Sequence, residues 1–588
     1  MKKTKYYAWM MAAALAMTGC SDEIDTGGES GGTTTTEMDG YIKISLNLPT
    51  TSDLGTRAEN EANDQFHNGI GDEYTVGDDN FIVFFEGTDE STASYLGISS
   101  LTGLDFDNAN TNPSNITTTS TVVMGAPKRT NESNNLYALV ILNANGTVSS
   151  TNGKLSIGGV SKDSPTLNDF KTALNGDTYG DVKTYTTAND EPSFTMLNAP
   201  IATLSATDQN FSTNENVTTL AEVEVYTSKE DAASATPDPI YVERVVAKVT
   251  IAGFPATLDP TDDNSPLKDA PITLTAWKVG NTNKSTKLLR DVGNSTSGWG
   301  EWISIANTST TNTTNRFFGT SATPFRVYWA IDNNYTSTAD GDLDMNPVAG
   351  SIKEDDGTVT WNTKWKEGEN PVPEYCLENT FNNSDGSVPG NIATRVVFQV
   401  QVAPNIKEDG TKVENDDDTK ATDFILGKEL STLYTKTTFL AEVKDYTGID
   451  DLQLAESLTA DTYKTKEDLK KMFQPNTALT DEVAQNILDH FGGMVQYYQN
   501  NFMYYSATYI KHFGEYYTPL KADGADNESY LGRYGVVRNN WYELNITSVG
   551  IGSPTVPGDD DNIDASEAFI SGEINILSWA ARKQEVEL

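Results

Sequence analysis

Three histidines and two cysteines are all that 588 residues offer of the side chains most used in acid–base, thiol and metal chemistry. That scarcity leaves little room for a catalytic constellation built on His67, His490 or His512, and no H-E-x-x-H, G-x-S-x-G or G-x-x-x-x-G-K-[ST] pattern is present. No catalytic residue, metal site or cofactor is therefore expected. Positive charge is scarce as well. Forty-one Lys and Arg face 84 Asp and Glu, a formal net charge of −43, which repels nucleic acid and anionic lipid and keeps an abundant secreted protein soluble. The acidic loops fail as calcium sites. Asp340-Gly-Asp342-Leu-Asp344 would need Gly and Glu where Met345 and Ser351 stand, and the alternation Asp560, Asn562, Asp564 meets Ser571 at the final ligand position. The apolar run Trp9–Met17 is too short to span a bilayer as a mature helix.

Trp9–Met17 does have the form of a processing segment. Lys2, Lys3 and Lys5 precede it, and Met17-Thr18-Gly19 leads into Cys20. Residues 1–20 are expected to be a bacterial lipoprotein signal with Cys20 acylated after cleavage, although the usual lipobox has Leu where Met17 stands. With Cys20 acylated, Cys376 has no intrachain partner, so stability must come from the core and from backbone pairing. Residues 21–36 are polar and rich in Gly and Thr, a flexible tether.

A strand pattern follows at once. Ile42, Ile44, Leu46 and Leu48 alternate with Lys43, Ser45 and Asn47, one apolar face with a period of two. Beyond a polar run come Arg57 and Ala58; Arg57 is the only basic residue between Lys43 and Lys128. A strand lying between a tether and a lone, exposed arginine is placed to be cut away.

Past residue 80 the chain reads as short strands separated by Thr-, Asn-, Asp- and Gly-rich turns. Strands are expected at 81–85, 136–142, 242–251, 272–279, 326–331, 394–402 and 534–546, with helices after Ser164-Pro165, Thr465 and Thr480. The fold class is mainly β: two β-sandwich domains in tandem with a few short helices. The linker-like stretch 254–266 suggests a division into residues 58–255 and 256–588. The aromatic run Tyr497, Tyr498, Phe502, Tyr504, Tyr505 and Tyr509 reads first as core packing, with a sugar-binding platform as the alternative.

The C-terminus mirrors the first strand. Ile570, Ile574, Ile576, Val586 and Leu588 share one parity, and no turn signal follows to fold the segment back. Such a terminus either closes the sheet of its own domain or seeks a partner.

Taken together, Cys20, the strand with Thr56-Arg57-Ala58, Val242–Val249, Tyr375–Thr380, Thr394–Phe398, Tyr534–Tyr542 and the ending from Ile574 to Leu588 resemble the major subunit, or fimbrillin, of type V pili of the short-fimbria type. The resemblance implies transthyretin-like, Greek-key sandwiches and a structural rather than enzymatic role in adhesion and biofilm formation. It implies a precursor held at the outer membrane by lipid, an arginine-specific protease cutting after Arg57, loss of the strand at 41–48, and polymerisation with further copies by donation of the segment 570–588. Accessory tip and anchor fimbrial subunits are the other implied partners. The alternative is a monomeric surface lipoprotein binding a glycan or a host protein.

Overall fold

The computed structural model describes chiefly residues 38–48, 76–104, 119–144, 194–202, 217–259, 265–294, 361–380, 393–414, 419–507, 535–557 and 570–578. The first sheet contains β1 (Met38–Asn47), β2 (Phe81–Gly87), β3 (Ser94–Ser100), β4 (Thr119–Pro127), β5 (Asn135–Leu142), β6 (Met196–Asn198), β7 (Ala221–Val223) and β8 (Asp238–Arg244), with the short helix α1 (Lys229–Ser234) before β8. Its order is β3-β2-β5-β6-β8-β1-β4, with β7 also paired to β5.

β2 and β5 are buried on both faces, which is why each reads as a continuous apolar run rather than an alternation. The two parities of these strands go to two different cores. Ile82, Phe84, Ala138, Val140 and Leu142 pack with the apolar face of β1. Val83, Phe85, Leu139 and Ile141 pack with Val245, Val246, Leu288, Leu377 and Trp541, residues from the second half of the fold.

The second half is a sandwich of two sheets. One holds β9 (Val246–Gly253), β11 (Glu374–Leu377), β18 (Asn540–Val549) and β19 (Ile570–Ser578) in the order β11-β9-β18-β19; the other holds β10 (Ile272–Gly280), β12 (Arg395–Val402) and β17 (Phe502–Ala507) in the order β10-β12-β17. Their facing side chains, among them Val249, Ile251, Trp277, Phe398 and Tyr542, form one core.

Between the paired strands β12 and β17 sits a smaller module with its own core: β13 (Phe424–Gly427), β14 (Thr432–Tyr434), α2 (Lys436–Thr447), β15 (Asp461–Tyr463), α3 (Lys466–Lys471), α4 (Asp481–His490) and β16 (Val495–Tyr498). Thr465 and Thr480 cap α3 and α4 as the sequence predicts, accepting hydrogen bonds from the amides of Asp468 and Val483. α2 is an addition to the sequence reading. Its capping box pairs Thr435 with Thr438 instead of the usual Glu or Gln, and its C-cap is Gly448 in the left-handed region at φ 70°. Of the helix expected after Pro165, only Leu167 lies among the described residues.

The chain is mainly β with tandem β domains, as expected. The change of sheet nevertheless falls at Val245, ahead of the linker at 254–266. β8 belongs to the first sheet and β9 to the second, so the strand expected at 242–251 is two strands. Apolar continuity conceals the break, because Val245 is itself buried in the junction. The strand expected from Tyr534 begins only at Asn540, since Asn539 takes the left-handed conformation, φ 60°.

Charged residues from separate parts of the chain meet in this junction. Arg538 and Glu378, each 1% exposed, pair at 3.1 Å, and the guanidinium also donates to the Leu288 carbonyl at 2.8 Å and to the Thr286 hydroxyl at 3.0 Å. Arg290 pairs with Glu243, Nε to Oε1 at 2.9 Å, with both side chains buried. The Trp541 indole donates to Thr250 at 2.7 Å, and the Lys248 ammonium lies 3.9 Å from the Trp541 ring centroid. Glu378→Ala is expected to destabilise the protein by about 3–5 kcal/mol, because Arg538 keeps its charge without its counter-ion, while Glu378→Leu combined with Arg538→Met costs less. Urea unfolding of the two variants measures this; a loss below about 1 kcal/mol for Glu378→Ala contradicts it.

Candidate functional site

The first strand occupies a slot with two walls. β1 runs antiparallel to β4 from Met38 to Asn47 and parallel to β8 from Ile44 to Asn47. At its start, Tyr41 exchanges both backbone hydrogen bonds with Tyr226, at 2.8 and 2.7 Å. Ile42, Ile44, Leu46 and Leu48 are each 0% exposed. At about 1.5–3 kcal/mol per fully buried aliphatic side chain, this one strand carries several kcal/mol of the first core.

Two further features bear on how it sits. Lys43, on the opposite face, donates from Nζ to the carbonyls of Ala233 and Ala235 at 2.9 and 2.8 Å, placing a cation on the C-terminal end of α1. Gly40 lies where a Cβ would come within 2.3 Å of the Val225 side chain and 3.2 Å of the Tyr226 carbonyl oxygen. A larger residue there requires the Val225 side chain to shift.

β4 depends on β1. It is the last strand of its sheet, and β1 is the strand to which it is hydrogen-bonded. Withdrawal of β1 would leave β4 without a ladder and β8 with an open edge, flanked by apolar side chains such as Ile240 and Val242.

The other end of the chain is also at a sheet edge. β19 is the last strand of the β11-β9-β18-β19 sheet and pairs antiparallel with β18 from Asn540 opposite Ser578 to Val549 opposite Ile570. Ile570, Ile574 and Ile576 thus lie in a strand of their own domain, the first of the two fates that the sequence left open. Val586 and Leu588 lie outside the described residues, as do Cys20, Arg57, Ala58 and both acidic calcium candidates.

Three members of the aromatic run belong to the core, and Phe502 and Tyr504 are half-buried. Tyr497, Tyr498 and Tyr505 are at most 2% exposed. Their hydroxyls reach Asp423 at 3.1 Å, the Gly552 carbonyl at 2.8 Å and the Gly550 carbonyl at 2.8 Å, respectively. Tyr509 lies outside the described residues. Burial, with Glu374 nearby, pushes the Cys376 thiol up to about 12, far from the range of a nucleophile. His490 stacks on Tyr446 at 4.2 Å and meets Glu442 at 2.9 Å, beside Lys428.

Residues 496–585, from β16 through β19, match the family model described as "Major fimbrial subunit protein type IV, Fimbrillin, C-terminal". Similar solved structures include a fimbrilin (FimA) from Porphyromonas gingivalis W83, at 12% identity and a TM-score of 0.36, covering 94% of this chain and 100% of that one. The tip fimbrial protein Mfa3 of P. gingivalis, with C-terminal truncation, is 10% identical at a TM-score of 0.28, covering 91% of this chain and 100% of that one. A fimbrial assembly protein from Parabacteroides distasonis is 14% identical at 0.26, covering 65% of this chain and 85% of that one. Identities and scores this low add nothing to the family match. A comparison with curated proteins finds no match.

Ile44→Ala in the uncut precursor is expected to lower stability by about 2–5 kcal/mol, the range for truncating a fully buried aliphatic side chain. Thermal or urea unfolding reads the change. A loss under about 0.5 kcal/mol would mean that β1 is not part of the cooperative fold.

Proposed function

We propose that the chain is the structural shaft subunit of a cell-surface fimbrium, made as a lipoprotein acylated at Cys20 and cut after Arg57. The observation that carries this reading is the position of β1. It fills the slot between β4 and β8, yet it lies at the start of the chain, between a tether and a lone arginine. A cut after Arg57 separates β1 from everything else in its sheet. The emptied slot then takes a strand from the C-terminal segment 570–588 of another copy, by β-augmentation. Donation from tail to slot is head-to-tail, so it propagates an open filament rather than closing a dimer.

The partners are other copies of the chain, accessory tip and anchor subunits, an arginine-specific protease and, before processing, the outer membrane through the lipid. Adhesion and biofilm formation are the roles of the finished fimbrium. The strand-like C-terminus favours the shaft over a tip subunit, which has no need to donate. The monomeric adhesin reading is weakened, since Tyr497, Tyr498 and Tyr505 are buried and only Phe502 and Tyr504 of the described run are half-buried.

Cutting alone does not empty the slot. Four buried aliphatic side chains and two ladders hold β1 after the peptide bond at Arg57 is gone, so release requires displacement. Soluble precursor nicked after Arg57 is expected to retain its N-terminal fragment through gel filtration and to lose it in denaturant or to excess synthetic peptide spanning 570–588. Spontaneous loss of the fragment on nicking contradicts this.

The donor role is tested by two truncations. Removal of 570–588 leaves a subunit that is secreted and cut but does not polymerise. Removal of 579–588 alone keeps β19 paired with β18, so loss of filaments from this shorter truncation would assign donation to the residues beyond β19 rather than to damage of the parent sheet. Normal filaments from the longer truncation would refute the donor role.

A further inference from the structure

Arginine is used differently from lysine in this chain. Ten of the 41 basic residues are arginine, and residues 396–532 hold twelve lysines and no arginine. Among the described side chains, Lys128, Lys364, Lys412 and Lys471 are exposed, and no arginine is. Arg244, Arg290, Arg395 and Arg538 are each at most 4% exposed. The planar guanidinium suits buried pairs, which accounts for those four. It does not account for the missing exposed arginines, since helix preference hardly separates the two residues. A buried arginine is beyond a protease until its surroundings unfold. Arg129 is then the one described arginine within reach, half-buried in the turn between β4 and β5.

That turn is held shut at the bond a protease would cut. Glu86, 7% exposed near the end of β2, accepts hydrogen bonds from the Thr130 amide at 2.8 Å and from the Thr130 hydroxyl. The Arg129 guanidinium is folded back, donating from Nη1 to the Asn134 carbonyl at 2.9 Å. Within the turn, the Ser133 amide donates to the Asn131 side-chain oxygen at 3.0 Å, and the Asn134 amide to the Asn131 carbonyl at 2.9 Å. Cleavage needs the arginine side chain extended and the residues beside the bond drawn out straight, which an exposed loop tip ordinarily permits. Here the residue after the bond is tied to β2 by a carboxylate, and bonds of that kind are roughly twice as strong as neutral ones.

We propose that Glu86 is a latch that withholds the Arg129–Thr130 bond from the arginine-specific protease, so that the cut after Arg57 is not followed by one after Arg129. This rests on the processing reading above and adds to it a physical reason for the selectivity of the cut. Hydrolysis at Arg129, water leaving a carboxylate on Arg129 and an amine on Thr130, would part β4 from β5. β4 is one wall of the slot that holds β1.

The precursor is treated under native conditions with a purified arginine-specific endoprotease, and the fragments are read by intact mass and N-terminal sequence. The wild type is expected to be cut after Arg57 and to stay whole at Arg129. Glu86→Ala is expected to be cut after Arg129 faster than the wild type by about tenfold or more, since opening of the turn limits the reaction. Thr130→Val, a change at an exposed position that removes the hydroxyl bond alone, is expected to fall between the two. Cuts of Glu86→Ala spread over Arg244, Arg290, Arg395 and Arg538 would mark general unfolding of that variant, and Thr130→Val then decides. Cutting of the wild type at Arg129 as readily as at Arg57 overturns the latch, as does a rate at Arg129 that neither variant raises. A wild type left uncut at Arg57 overturns the processing reading alone, because the latch is read at Arg129.

Discussion

The fold depends on a backbone constraint at β1. A strand between two others satisfies two rows of N–H and C=O groups at once, and removing it leaves both rows bare. β1 fills that role between β4 and β8 while burying Ile42, Ile44, Leu46 and Leu48. A protein intended only to be stable gains nothing by placing such a strand at the end of a polar tether. A protein that must stay monomeric during export and then polymerise gains a closed sheet first and a binding slot afterwards.

The second constraint is the junction between the two halves. The outward parity of β2 and β5 packs directly onto Val245, Val246, Leu377 and Trp541, and the Arg538–Glu378 and Arg290–Glu243 pairs lie in the same region. Buried pairs of this kind contribute little net stability, but removing one partner is costly because it leaves the other charge buried and unpaired.

Much of this was legible in the sequence because strand alternation has a fixed period. The apolar parity of 42–48 corresponds to an observed strand, and the strands expected at 81–85, 136–142, 272–279 and 394–402 each match one within two residues at either end. The helix caps at Thr465 and Thr480 were legible because a hydroxyl followed by acidic residues has a specific local role. The break at Val245 was not, because an apolar strand that changes sheets looks like one that continues. α2 was hidden by β-branched residues at its start, and its capping box uses Thr438 where Glu or Gln is the familiar signal. The motif residues Glu243, Glu378 and Arg538 were visible as parts of the family resemblance, but their pairing partners lie far away in the chain and only the fold brings them together.

The central claim is that β1 is temporary. The most direct measurement is the N-terminal sequence and intact mass of the protein recovered from surface filaments. The account predicts a chain beginning at Ala58, without lipid and without residues 41–48. A filament subunit that still begins at acylated Cys20 with β1 in place would contradict it.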